Sequence, residues 1–360
     1  MEALIMYTRA TDGTLLDDLI DMAGRLCRSA QEHCPRRGPG RRPDFSDGQI
    51  AALIMIAVLK KRKSKSSQYR FLTGHRARLT TRLGLPRWPA RSTYCDRYRR
   101  IQPLLTVALQ RQGRQALRQG ISSAVLVAAD KSLLSACGPP WHRAQQQQGR
   151  RPRGVDPQAR WSYSPYHGWV WGYSYEVVVT ATPGRPVVPL LASVAAANAS
   201  EQHTLTPKID QLPKAVRHVL ADSGYDSNLL GERIEYDPQG RRTGRRFLCP
   251  LQPRAHHARP GATVQRGRRE QQRRRRQRRF AFYRSRRGRR LYARRGQSVE
   301  PFNEWFKHLY DLEPHVWHRG LDNNQTQLLA ALCGYQLLLR YNHRHRRRPL
   351  GQIQCLLDAL

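Results

Sequence analysis

Acids are scarce in this chain, so their positions are informative. Between Arg97 and Ile209 there are only four: Asp130, Asp156, Glu176 and Glu201. Asp130 closes the wholly apolar run 124–129 (AVLVAA), and Asp222 closes HVLA at 218–221 before Ser223-Gly224-Tyr225. Short continuous apolar runs read as strands buried on both faces. Ligand sites in open α/β sheets lie outside the carboxyl ends of the strands, so the two aspartates are expected to converge. Their oxygens suit a hard divalent cation, and two such ions about 3.5–4 Å apart can activate water and stabilise the leaving oxygen of a phosphodiester. A third acid follows from helical geometry. Glu300 opens an amphipathic helix on which positions 300, 304 and 307 share a face, and the helix dipole favours a carboxylate in the first turn. Lys307 is expected to point the same way, towards a phosphate, with Glu304 as a fallback ligand should Glu300 turn away.

The elements that must hold these residues fall into two blocks. Residues 1–120 read as helical. Leu15, Leu16, Leu19, Met22, Ala23 and Leu26 recur at helical spacing, and Ser46 with Gln49 forms a capping-box pattern ahead of the apolar run 50–59. A breaker-rich linker over 34–43 separates these two helices. Further helices are expected over 68–83, stopped by Gly84 and Pro86, and over 93–101, capped by Ser92. This last helix carries Arg97 and Arg100. Short helices with tight turns and a basic final element resemble a helix-turn-helix module, for which a plain bundle with solvated arginines is the alternative. From residue 121 the pattern becomes α/β with a mixed sheet. It comprises the strand at 124–129, a hairpin of 169–180 and 187–194, a helix over 200–212, a strand at 216–221, a helix over 228–235 and a strand at 246–249. On alternation, Trp169, Trp171, Tyr173 and Tyr175 share a packed sheet face, which leaves Trp161 and Tyr163 as the better base-stacking candidates. Glu176 is expected to pair with an arginine. Residues 254–295 hold 18 arginines and one acid. The run 266–279 alone would be disordered and self-repelling, and a turn at Gly288 suggests a hairpin after it. Helices over 299–309 and 325–341, a basic tract over 343–348 and a C-terminal tail from 346 to 360, apolar at its end, complete the chain.

The 360 residues carry a formal charge of +38, of which +15 lies in 1–120. That excess excludes an ordinary metabolic enzyme and points to a polyanion, most plausibly nucleic acid. The 56 arginines against 8 lysines are also what a GC-rich genome would impose by codon usage, so charge alone does not decide the partner. A hydrophobic share of 39% supports a real core. The longest apolar run falls far short of the roughly 20 residues that span a bilayer, and residues 1–9 lack signal-peptide character. Seven scattered cysteines fit reduced thiols in a cytosol and no zinc site.

The three acids in these settings resemble the Asp-Asp-Glu transposases of bacterial insertion sequences. One branch of these carries its glutamate in a Tyr-x2-Arg-x3-Glu-x6-Lys pattern. Tyr292-x2-Arg295 and Glu300-x6-Lys307 fit it, with four residues rather than three between Arg295 and Glu300. The phrase Ala221-Asp222-Ser223-Gly224-Tyr225-Asp226 and the ending Tyr341-Asn342 also resemble the family, and the likeness covers roughly residues 45–345. It implies a ribonuclease H-like catalytic domain over 121–345, with the Arg-rich stretch 254–290 as an insertion, preceded by a helical DNA-binding region over 1–120. The implied catalytic residues and metal ligands are Asp130, Asp222 and Glu300, with two Mg2+ (or Mn2+) ions. Lys307, Tyr292 and Arg295 would hold DNA near the scissile phosphate, and Arg97 and Arg100 would contact it from the helical region. The partners implied are double-stranded DNA, as terminal inverted repeats and target, and a second copy of the chain in a synaptic dimer. The setting is the cytoplasm of a bacterium. A metal-dependent nuclease without strand transfer, or an inactive DNA-binding derivative, are the alternatives.

Overall fold

The structure is a computed structural model and describes residues 12–34, 43–165, 167–252 and 264–360. Most of the expected linker, Tyr166 of the aromatic group, residues 1–9 and the first part of the Arg-rich stretch lie outside the described residues.

Six helices come first: α1 Asp12–Gln31, α2 Asp47–Leu59, α3 Lys65–Gly74, α4 Arg76–Leu83, α5 Arg91–Tyr98 and α6 Gln102–Arg118. The capping box is formed, Ser46 accepting from the Gln49 N–H while the Gln49 side chain bonds back to the Ser46 backbone. Helix α2 is nearly all apolar and buried along its length, as a helix hydrophobic all round must be. Two expectations shift here. The helix expected over 68–83 is two helices that meet at His75. The helix expected behind Ser92 starts at Arg91, behind Ala90, which makes no side-chain cap.

The sheet follows: β1 Leu126–Ser135, β2 Arg160–Ser164, β3 Gly168–Thr180, β4 Pro189–Ala196, β5 His218–Leu220 and β6 Arg246–Leu248, with a short helix α7 Arg143–Gln147 between β1 and β2. Its order is β2-β3-β1-β5-β6, with β4 also paired to β3. β1 is antiparallel to β3 and parallel to β5, and β5 is parallel to β6. Between β4 and β6 lie α8 Glu201–Leu205, a 3-10 turn Thr206–Gln211, a second at Ser223–Tyr225, and α9 Asn228–Glu235. Asp130 does not end its strand. β1 runs on to Ser135, with Asp130 opposite Val177, because strand pairing with β3 continues through a segment whose side chains no longer read as buried. The pairing is close at Gly172, where a Cβ would stand 2.0 Å from the Leu134 carbonyl oxygen.

Where disorder and a hairpin were expected, α10 Val264–Arg284 and α11 Arg286–Tyr292 are helical. Acids presented beneath them hold the arginine run. Arg276 pairs with Asp226, Arg275 with Glu232 and Arg279 with Glu235. Gly288 forms no hairpin turn. It lets α11 cross the end of α10, with its Cβ position 1.9 Å from the Phe282 carbonyl oxygen.

The chain closes with α12 Val299–Leu309, α13 Leu321–Arg344 and α14 Gln354–Asp358. Helix α13 is buried along most of its 24 residues. It bonds to both halves of the molecule, Gln336 donating to the carbonyls of Leu109 in α6 and Pro189 in β4. One hydrophobic core therefore runs from α1 to α14. Among the described residues no helix is long and apolar enough to cross a membrane, and all seven cysteines are free.

Candidate active site

Asp130, Asp222 and Glu300 arrive from three elements and meet at one guanidinium. Arg295 follows α11 and is almost buried, at 8% exposure. Its Nη2 donates to Asp130 Oδ1 at 2.5 Å and stands 3.7 Å from Asp222 Oδ2, and its Nη1 pairs with Glu300 Oε1. Burial works against the charge of Arg295, but the three carboxylates and Tyr292 outweigh it and raise its pKa. Its Nε has no hydrogen-bond partner among the described residues.

Each carboxylate is held differently. Asp130 Oδ2 accepts from Asn303 Nδ2 at 2.7 Å, and Asn303 Oδ1 accepts from the Tyr175 hydroxyl at 2.9 Å, so α12 and β3 together orient it. Burial carries its pKa from 3.8 to about 6. Arg295 opposes that rise and the charge of Asp222 adds to it. Asp222 caps the 3-10 turn after β5, its Oδ1 accepting from the Gly224 N–H at 2.9 Å. Burial raises its pKa also, against the pull of Arg295. Glu300 stands in the first turn of α12 with half its side chain in solvent.

The other expected residues divide. Tyr292 packs edge-on against Tyr283, ring centroids 4.9 Å apart, and burial raises its phenol pKa. Lys307 does not join the cluster. It is buried and paired with Glu313 at 3.3 Å. Glu304, the fallback ligand, is exposed. Arg97 is tied to Asp47 at the start of α2, and Arg100 is exposed. Among the described residues Glu176 meets no arginine. It is buried, accepts from Ser193, and burial moves its pKa up to about 7. Among the aromatics, Trp161 is half-buried against Trp171 and donates to the Trp141 carbonyl, while Tyr163 and Trp169 form the exposed pair, edge-to-face at 5.6 Å.

Sequence reasoning missed Asn303 and Tyr175. Their signal was there: Asn303 lies one turn from Glu300, and Tyr175 shares the strand that pairs with β1. It also left Glu201 unassigned, although Glu201 was one of the four scarce acids. Glu201 pairs with Lys131, the neighbour of Asp130, at 3.2 Å, and its charge raises the pKa of Asp222.

A family described as the transposase DDE domain matches residues 121–337, which takes in β1 through most of α13 and every residue of this cluster. The chain belongs to the DDE transposase family. No curated protein and no solved structure matches it. DDE transposases act on DNA and are generally dependent on divalent metal. The donor set fits that requirement, since three carboxylates surround a single cationic group, and burial pushes Asp130 towards protonation even with Arg295 beside it. The described residues hold no group of three His, Cys, Asp or Glu side chains close enough to bind an ion as they stand; Arg295 lies between the three acids.

Proposed function

We propose that this protein is a DNA transposase that nicks the ends of a mobile element and joins the freed 3′-hydroxyl to target DNA. In this reading Asp130, Asp222 and Glu300 are the catalytic metal ligands for Mg2+ or Mn2+. The single observation that carries it is the convergence of these three acids, far apart in the chain, on the one guanidinium of Arg295. The sheet order, with three parallel strands joined to an antiparallel hairpin, supports a ribonuclease H-like catalytic domain.

Two divalent ions bound there would supply an activated water or hydroxyl and stabilise the leaving oxygen. The chain's own contribution is positional. Tyr175 and Asn303 fix the Asp130 carboxylate, the Gly224 N–H fixes Asp222, and the exposed first turn of α12 leaves Glu300 free to adjust. Arg295, once displaced, stands where it can pair bidentately with a phosphate of the reacting strand. Tyr292 backs it from α11. Arg100 presents its charge from the helical region, whose short helices support a helix-turn-helix-like module, whereas Arg97 serves chiefly to tie α5 to α2. Lys307 acts on DNA only after leaving Glu313. The remaining partners in this reading are a second copy of the chain in the synaptic complex, and the terminal repeats and target in a bacterial nucleoid.

The test is strand transfer with Mg2+, a pre-cut element end and a supercoiled target, using the wild type beside Asp130→Asn, Asp222→Asn and Glu300→Gln. Joined product from the wild type alone is expected. Cleavage without joining would make the protein a nuclease. Undiminished joining by any of the three variants would remove that acid from the site.

A further inference from the structure

Away from the carboxylates, a cavity of about 500 Å³ opens between α1, α6 and the end of α13. Six arginines line it, Arg25, Arg111, Arg114, Arg118, Arg340 and Arg344, together with His343, over a floor that includes Met22 and Leu26. No carboxylate lines it, and no Phe, Tyr or Trp ring does. Helix dipoles account for part of this, because Arg118 and Arg344 stand in last turns, where cations are favoured. The other four arginines lie too far into their helices for that explanation.

None of the six meets a carboxylate among the described residues. Three of them spend hydrogen bonds on neutral acceptors: Arg111 on Ser29 Oγ, Arg114 on the Gln211 carbonyl and Arg340 on Gln119 Oε1. Three acids of α1 are committed elsewhere, Asp17 and Asp21 to Arg78 and Arg82, and Asp18 to His345. Burial and the charge of Arg25 together lower the pKa of Arg340. A guanidinium cannot relieve such crowding by losing its proton, so the cavity is built to be neutralised from outside.

We infer that this groove is a second DNA site, which grips the phosphodiester backbone of duplex DNA at a distance from the reacting phosphate. The arginines suit phosphate geometry, and no carboxylate is present to repel a backbone phosphate. No lining residue belongs to the carboxylate cluster. Gln336 bonds Pro189 at the start of β4, and Arg340 lies one turn further on, beyond that end of the strand. The inference depends on the proposed function only in taking DNA as the partner.

The test neutralises the four exposed arginines together, Arg25→Gln, Arg114→Gln, Arg118→Gln and Arg344→Gln, in the full chain. Duplex binding is followed by fluorescence anisotropy from 50 to 300 mM salt. Each phosphate contact contributes a slope of about 0.9 in log K against log salt, so the variant's slope should be shallower by about 2–4. Its melting temperature should be unchanged or higher, and its single-turnover joining rate at saturating DNA should equal that of the wild type. A photocrosslinking residue at Gln115, also in the lining, should form an adduct with duplex in the wild-type background and none in the variant. An unchanged slope, a lowered slope without crosslinking, or inorganic triphosphate binding lost while duplex binding stays whole would each overturn the inference. Absence of joining by the wild type, with slope and crosslink as expected, would instead overturn the proposed chemistry and leave the groove standing.

Discussion

Asp130→Asn should make the metal-free protein more stable at pH 7.5 while it abolishes strand transfer. The carboxyl titrates near 3.8 when free and at about 6 in its buried place, even with Arg295 beside it. A raised carboxyl pKa contributes stability that is fully present below 3.8 and is lost as the pH climbs through 6. At about 1.36 kcal/mol per unit, holding Asp130 ionised at pH 7.5 costs about 3 kcal/mol. Asparagine is neutral at every pH and keeps one acceptor, so it can serve Asn303 or Arg295 but not both. The gain is therefore bounded by about 3 kcal/mol. With an unfolding entropy of about 2.1 cal/mol/K per residue, that bound is a rise of about 4 °C in melting temperature. The assay is calorimetry in EDTA at pH 7.5 and pH 4, with the difference between variant and wild type vanishing at the lower pH. Divalent metal added at pH 7.5 should raise the wild type and leave the variant where it was. A variant that melts below the wild type at pH 7.5, or a difference independent of pH, would refute the claim that the site holds an undercompensated buried charge.

Glu176→Gln should flatten the pH dependence of stability between 4.5 and about 7, since burial moves this carboxyl up through that window, and the neutral variant should be the more stable above pH 7 by urea titration. Arg97→Met should destabilise by about 1–3 kcal/mol, because it removes the ion pair that ties α5 to Asp47 at the start of α2, with little effect on the salt slope of DNA binding. Gly288→Ala, whose Cβ would meet the Phe282 carbonyl oxygen at 1.9 Å, should separate α11 from α10 and cost about 3 kcal/mol or more. Proteolysis at the arginine run should rise with it. Arg295→Gln should bind Mn2+ more tightly than the wild type in the absence of DNA, read by electron paramagnetic resonance, because the internal cation that competes for the carboxylates is gone. Equal affinities would show that Arg295 does not occupy the metal's place.

The sequence was most legible where local chemistry and tertiary packing agree. The capping box of α2 and the helix Asn228–Glu235 stand where residue pattern alone put them. It was least legible where a distant partner decides. Nothing in residues 131–135 alternates clearly enough to extend β1, yet pairing with β3 carries the strand five residues past Asp130. The arginine run had no visible partner because Asp226, Glu232 and Glu235 come from another part of the chain. Helical arithmetic placed Glu300 and Lys307 on one face correctly, but seven residues are about 10 Å of helix, enough to put one at the exposed end of α12 and the other in the core. Arg295 was found through its resemblance to the family's Tyr-x2-Arg pattern. Its place at the centre of the three acids could be known only from the fold.

Helix α13 has a consequence for where the protein cuts. Because it packs on α6 and β4 in the same few turns, the helical half and the sheet move as one body. In the proposed reading, a duplex gripped by the first half meets the carboxylates of the second at a fixed offset along its axis. The molecule is then a ruler as well as a blade. The number of base pairs between the grip and the nick is then set by that shared packing, and loosening it should scatter the cut positions rather than merely weaken cutting.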